Sequence, residues 1–77
     1  MTNFIFENWT FEPYREIDGR PTYKATKMIK YNHHRIAYVQ DRNGRLVETD
    51  RLGMPSFRQR MVPPKTLAAF REYLAGG

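Results

Sequence analysis

Residues 9–31 read WTFEPYREIDGRPTYKATKMIKY, and the folding of this run decides the architecture. Between Trp9 and Ile17, the residues Trp9, Phe11, Pro13 and Ile17 alternate with Thr10, Glu12, Tyr14 and Glu16. This is the two-residue period of a strand with one buried face. Pro13 has no N–H to donate and assigns the strand to a sheet edge. Asp18-Gly19 tolerates positive φ between two strand-like runs, which predicts a hairpin. The return run, Thr22 to Tyr31, sets Tyr23, Ala25, Lys27, Ile29 and Tyr31 on one face and Thr22, Lys24, Thr26, Met28 and Lys30 on the other. A helix is the alternative there, because Ala25, Met28 and Ile29 fall at i, i+3 and i+4; the sustained alternation favours a strand.

Working outward, Asn32-His33-His34 reads as a connection. Arg35 to Gln40, with Ile36, Ala37, Tyr38 and Val39 apolar on both sides, reads as a more central strand. Asp41-Arg42-Asn43-Gly44 has the residues of a type I turn closed by a left-handed glycine, a three-residue loop that pairs Val39 with Val47 and makes Arg45 to Thr49 the partner strand. Asp50 to Val62 shows no period and reads as an ordered or partly ordered basic loop, long for a compact domain. Pro64 suits a first helical turn, Leu67, Phe70 and Leu74 recur at helical spacing, and Gly76 supplies a stop. The expected fold is α+β: a small antiparallel β-sheet of three to four strands with one C-terminal α-helix. It forms a single domain over residues 1–77, mostly β over 1–49, a basic loop over 50–63 and a helix over 64–75.

A chain of 77 residues has few large side chains with which to build a core, and five Phe, five Tyr and one Trp are the available material. Domains of this size bury only about 60% of the surface that the unfolded chain exposes. Trp9 and Phe11 are therefore core candidates, with Tyr14 and Tyr31 the better candidates for exposure. There is no cysteine, hence no disulfide framework and no thiolate metal site. No apolar run approaches the ~20 residues that span a bilayer, and the first residues lack the pattern of a signal peptide. The expectation is a cytoplasmic protein with no membrane contact.

Positive charge is blocked rather than sprinkled. The net charge is +5, but residues 1–19 carry −3, residues 20–35 carry +5, residues 36–50 carry −1 and residues 51–65 carry +4. Arg20, Lys24, Lys27, Lys30 and Arg35 form the first block without an intervening acid, and Arg51, Arg58 and Arg60 dominate the second. These eight residues are the candidate nucleic-acid contacts: lysines neutralise phosphates by exchanging condensed counterions, and arginines add a bidentate fork. Lysine on an edge strand also blocks aggregation, so a solvated face competes with this reading. Tyr14, Tyr31 and Phe57 are the candidate protein contacts, since aromatic rings beside cations suit interfaces as well as base stacking.

Catalytic constellations are missing. Ser56 is the only serine, and His33 and His34 are adjacent and point apart in extended chain. No ligands converge at metal spacing, and no glycine-rich phosphate loop occurs. Glu12 and Glu16 read as surface charge, as do Asp41 and Asp50. The expectation is a non-enzymatic protein with no cofactor, no metal and no small-molecule substrate.

The strand meander closed by a helix, from Tyr23 to Leu74, resembles the arm-type DNA-binding domains of phage integrases. In size, basic character and fold class the chain also resembles the small early regulators with which tailed bacteriophages redirect host RNA polymerase. That second likeness implies a transcription regulator in the host cytoplasm, bound to RNA polymerase or another nucleic-acid machine. Two alternatives stand beside it: an autonomous DNA-binding module of arm, repressor or excision type, and an inhibitor that occludes a host enzyme's nucleic-acid channel.

Overall fold

The computed structural model describes residues 3–30, 33–54 and 61–76. Five strands, β1 (Phe4–Phe6), β2 (Trp9–Ile17), β3 (Arg20–Lys30), β4 (His33–Arg42) and β5 (Arg45–Thr49), precede one helix, α1 (Pro64–Leu74). They form one curled antiparallel sheet in the order β1-β2-β3-β4-β5, each strand paired only with its sequence neighbours. The α+β class is as expected, with one strand more than the sequence reading allowed. The extra strand, β1, is three residues long, and its turn Glu7-Asn8 is built from two non-glycine residues at φ 46° and 71°. Glutamate and asparagine at positive φ carry no strong hairpin signal, so nothing in the residue types marks this turn.

Two other turns among the described residues are of the same kind. Asp18-Gly19 (φ 53° and 74°) joins Ile17 to its partner Arg20, as expected, and Asn43-Gly44 (φ 53° and 84°) joins Arg42 to Arg45. Positive φ at both central residues gives a two-residue loop whose twist matches the strands. The register of β4 and β5 is consequently one residue away from that expected: Gln40 faces Val47, and Val39 faces Glu48. Residues 33 and 34, read as a connection, belong to β4, where His33 pairs with Lys30 and His34 with Met28.

Register puts the core on one face. Phe4, Phe11, Ala25 and Ala37 lie side by side across four strands, and Phe6, Trp9, Lys27 and Arg35 form the next row. Helix α1 lies over this face. Its Phe70 ring stacks on Phe11 at 4.2 Å between centroids and meets Tyr23 edge-on at 5.0 Å. Trp9 and Phe11 are buried as expected, together with Val39, Val62 and Phe70. The helix begins with Pro63 as its cap and Pro64 in the first turn, where no N–H is missed. It ends at Leu74, and Gly76, φ 88°, follows, its N–H reaching the Tyr73 carbonyl at 3.1 Å.

Ile17 departs from the alternation read in the sequence. A bulge between Pro13 and Arg15 shifts the register of β2, so Arg15 faces Thr22 and Ile17 faces Arg20, on the sheet side opposite Trp9 and Phe11. A second, smaller packing unit forms there. The segment from Asp50 to Met54 is tied by the Asp50 carboxylate, which accepts from the N–H groups of Leu52 (2.8 Å) and Met54 (3.0 Å). Asp50, read as bland surface charge, thus shapes the segment. Gly53 sits against Ile17 and Gln40, and Arg42 donates both to the Gln40 side chain (2.6 Å) and to the Gly53 carbonyl (2.9 Å).

Candidate nucleic-acid interface

Strand β2 begins at Trp9, opposite Lys27, and β5 ends at Thr49, opposite Tyr38. Beyond Lys27, β3 has only β4 beside it. Met28–Lys30 and His33–His34 therefore form a two-stranded tip at the edge of the sheet, about 10 Å long at the usual rise per residue. Residues 28–30 and 33–36 are all exposed, including the apolar side chains of Met28, Ile29 and Ile36. A bulge between Met28 and Lys30 twists the tip further.

The structure sorts the eight cations read from the sequence. Lys27 and Arg35 are direct cross-strand partners at the base of the tip, and Lys30 pairs with His33 within it. Lys24 lies in register with Glu12 on the face away from the helix. Arg20 is at the opposite end of β3, roughly 33 Å from Lys30 along an extended strand. Arg51 is exposed on the Asp50–Met54 segment, its carbonyl accepting from the Arg15 guanidinium at 3.5 Å. Arg58 and Arg60 lie outside the described residues, as do Tyr31 and Phe57. One contiguous charge block in sequence thus becomes three separate positions in space.

Like charges directly opposite one another destabilise a strand pair unless something offsets them. The ion pairs among the described residues are Lys65–Glu7 and Arg71–Asp41, both at 3.5 Å, and neither reaches Lys27 or Arg35. The Lys27 ammonium lies 5.9 Å from the centroid of the Trp9 ring, a cation–π distance. A notch of about 280 Å3 opens between Trp9, Lys27, Ile29, Arg35 and Met61. The sequence placed Trp9 in the core and Lys27 on a strand surface; only the register brings indole, lysine and arginine together.

A second concavity, about 540 Å3, lies between β2, the start of β3 and the end of α1, lined by Phe11, Pro13, Tyr14, Tyr23, Tyr73 and Leu74 among others. Tyr14 is exposed as expected and lies 5.0 Å from the Tyr38 ring, with the Arg15 guanidinium 5.4 Å from its own ring centroid. No protein-family model, curated protein or solved structure matches this chain. Chemistry must therefore be read from the side chains. Among the described residues no three His, Cys, Asp or Glu side chains group to hold a metal ion, and no helix is long and apolar enough to cross a membrane.

Tyr23, beside this groove, has its phenol pushed above the ordinary value, first by burial and then by the nearby Asp41 carboxylate, with Arg71 opposing. A raised pKa means the folded state holds its proton longer than the unfolded chain. The associated stability is present below the ordinary tyrosine range near 10 and is lost as pH rises through the folded value. Spectrophotometric titration of the tyrosines should show a late-titrating step that Tyr23→Phe removes, and the variant should lose less stability than the parent at alkaline pH.

Proposed function

We propose that this chain is a small non-enzymatic regulator that grips nucleic acid with the two-stranded tip of β3 and β4. The observation that carries the reading is the tip itself: Lys30 on a projecting strand pair with Lys27 and Arg35 at its base, without an acidic partner among the described residues. A major groove about 12 Å wide admits a two-stranded ribbon. The cations then neutralise phosphates while exposed Met28, Ile29 and Ile36 are available to base edges and thymine methyls.

Duplex and single-stranded probes in fluorescence anisotropy at several salt concentrations test this reading. Each neutralised phosphate contributes about 0.9 to the slope of log affinity against log salt on duplex DNA. Lys30→Gln should lower that slope by about one and weaken binding several-fold, whereas Arg45→Gln, on the exposed turn at the other end of β4, should leave it unchanged. Equal effects of the two substitutions would reduce the interaction to net charge.

A second reading keeps the nucleic acid and adds a protein: a regulator, phage-like in size and charge, that docks on a host machine such as RNA polymerase. It is favoured by the aromatic groove beside Tyr14, which is lined also by Arg15 and Glu16 and shares no residue with the cationic notch. Retention on purified polymerase after nuclease treatment, lost in a Tyr14→Ala variant, is its signature.

A further inference from the structure

The notch at the base of the tip has a donor set that the nucleic-acid reading does not by itself require. Trp9 is 1% exposed, and its indole Nε1–H is buried with no acceptor among the described residues. Buried donors are nearly always satisfied, by protein, water or ligand. Trp9 shares its sheet row with Lys27 and Arg35, and all three residues line one concavity, its two charged groups both donors. An indole N–H, an ammonium and a guanidinium offer no acceptor between them. A cation or a neutral donor has nothing to bind there. The occupant they suit is an anion rich in acceptor oxygens.

Two features sharpen the chemical class. The Lys27 ammonium lies 5.9 Å from the Trp9 ring centroid, and Arg35 is the direct cross-strand partner of Lys27. Ile29 and Met61 complete the walls with apolar surface, which strengthens any charge-assisted hydrogen bond made inside. The volume of about 280 Å3 holds a tetrahedral oxyanion with several retained waters, each occupying about 30 Å3.

We propose that the notch formed by Trp9, Lys27 and Arg35 binds a phosphoryl oxyanion, with the Lys27 and Arg35 side chains donating to its oxygens beside the Trp9 ring. Assigning that phosphate to a nucleic-acid backbone rests on the reading above; the anion chemistry of the notch does not. As a backbone site it anchors one phosphate at the base of the tip and fixes the register of the strand pair on the polymer.

Trp9 is the only tryptophan in the chain, so its emission reports on the notch alone. Inorganic phosphate is titrated into the full chain while tryptophan emission is followed. In parallel, a labelled oligonucleotide is titrated by anisotropy, with and without competing phosphate. Saturable emission change with phosphate is expected, weakened roughly tenfold in Lys27→Met and in Arg35→Met, as for the loss of one charge-assisted hydrogen bond. Arg45→Met removes the same charge from the far turn and should leave the response intact. Circular dichroism verifies folding of each variant, and Arg35, the more exposed of the pair, carries the test if Lys27→Met does not fold.

If the oligonucleotide gives the same emission change and phosphate competes with it, the notch holds a backbone phosphate. If phosphate saturates the notch but no oligonucleotide binds or competes, the anion site stands and the nucleic-acid reading falls. Oligonucleotide binding that leaves Trp9 emission unmoved and is insensitive to Lys27→Met and Arg35→Met overturns the notch while sparing that reading. An emission response to neither probe overturns it as well.

Discussion

Phe70→Ala is expected to lower the midpoint of thermal unfolding by at least about 12 °C, the largest loss of any single side-chain truncation in this chain. Phe70 is 2% exposed and joins the helix to the sheet through Phe11 at 4.2 Å, Tyr23 at 5.0 Å and Phe4 at 5.6 Å. Removing a buried phenyl ring costs about 3–5 kcal/mol, combining lost transfer energy with the cavity left behind. A domain of this length has roughly 4–12 kcal/mol in total, and each kcal/mol shifts the midpoint by about 4–8 °C. The substitution therefore takes a large share of the stability. Near-ultraviolet circular dichroism during a thermal ramp measures it, and a shift below about 4 °C would show that the helix is not the principal cover of the core.

Gly53→Ala should cost about 2–4 kcal/mol, although it adds a single methyl group. Gly53 has φ 89°, where an L side chain is strained, and a Cβ there would lie 2.8 Å from Ile17 Cγ2 and 3.4 Å from Gln40 Nε2. Either Ile17 moves or the segment lifts from the sheet, and lifting breaks the 2.9 Å bond from Arg42 to the Gly53 carbonyl. The two causes separate in a double-mutant cycle. Ile17→Ala relieves the clash but not the backbone strain, so the double variant should be more stable than the two single losses predict. Chemical denaturation of all four proteins gives the coupling. Strict additivity would locate the entire cost in the backbone.

Much of the fold was legible because short-range signals dominate it. Alternation around Trp9 and Phe11, the Asp18-Gly19 pair and the proline-started helix with Phe70 at its centre each specify their element locally. The failures have local physical causes too. Glu7-Asn8 makes a tight turn without glycine, so β1 was missed. One bulge after Pro13 moved Ile17 to the opposite face, which no alternation rule detects. The choice of a two-residue over a three-residue loop at Asn43-Gly44 shifted one register by a single position.

The candidate site was less legible than the fold, because charge along the chain does not become charge in space. Arg20 and Lys30 are ten positions apart in one basic block, and an extended strand sends them to opposite ends. Lys24 and Lys27 are three apart, and the pleat sends them to opposite faces. What joins Lys27 to Arg35 and Trp9 is pairing across three strands, a property of register. Neither the buried indole N–H, without an acceptor among the described residues, nor the walls supplied by Ile29 and Met61 have any signature in composition.

The purely sequential strand order has a consequence for how the molecule assembles. Every hairpin can close as soon as its own residues are available, without waiting for a distant partner, so each pairing closes only the loop of its own hairpin. The cover arrives separately. Until residues 64–74 dock, Phe4, Phe11 and Tyr23 lack the Phe70 ring that closes over them. A chain emerging from the ribosome therefore presents a completed sheet with a sticky inner surface for the interval before the helix follows. In that interval the protein is most open to capture by chaperones and to association with its own copies.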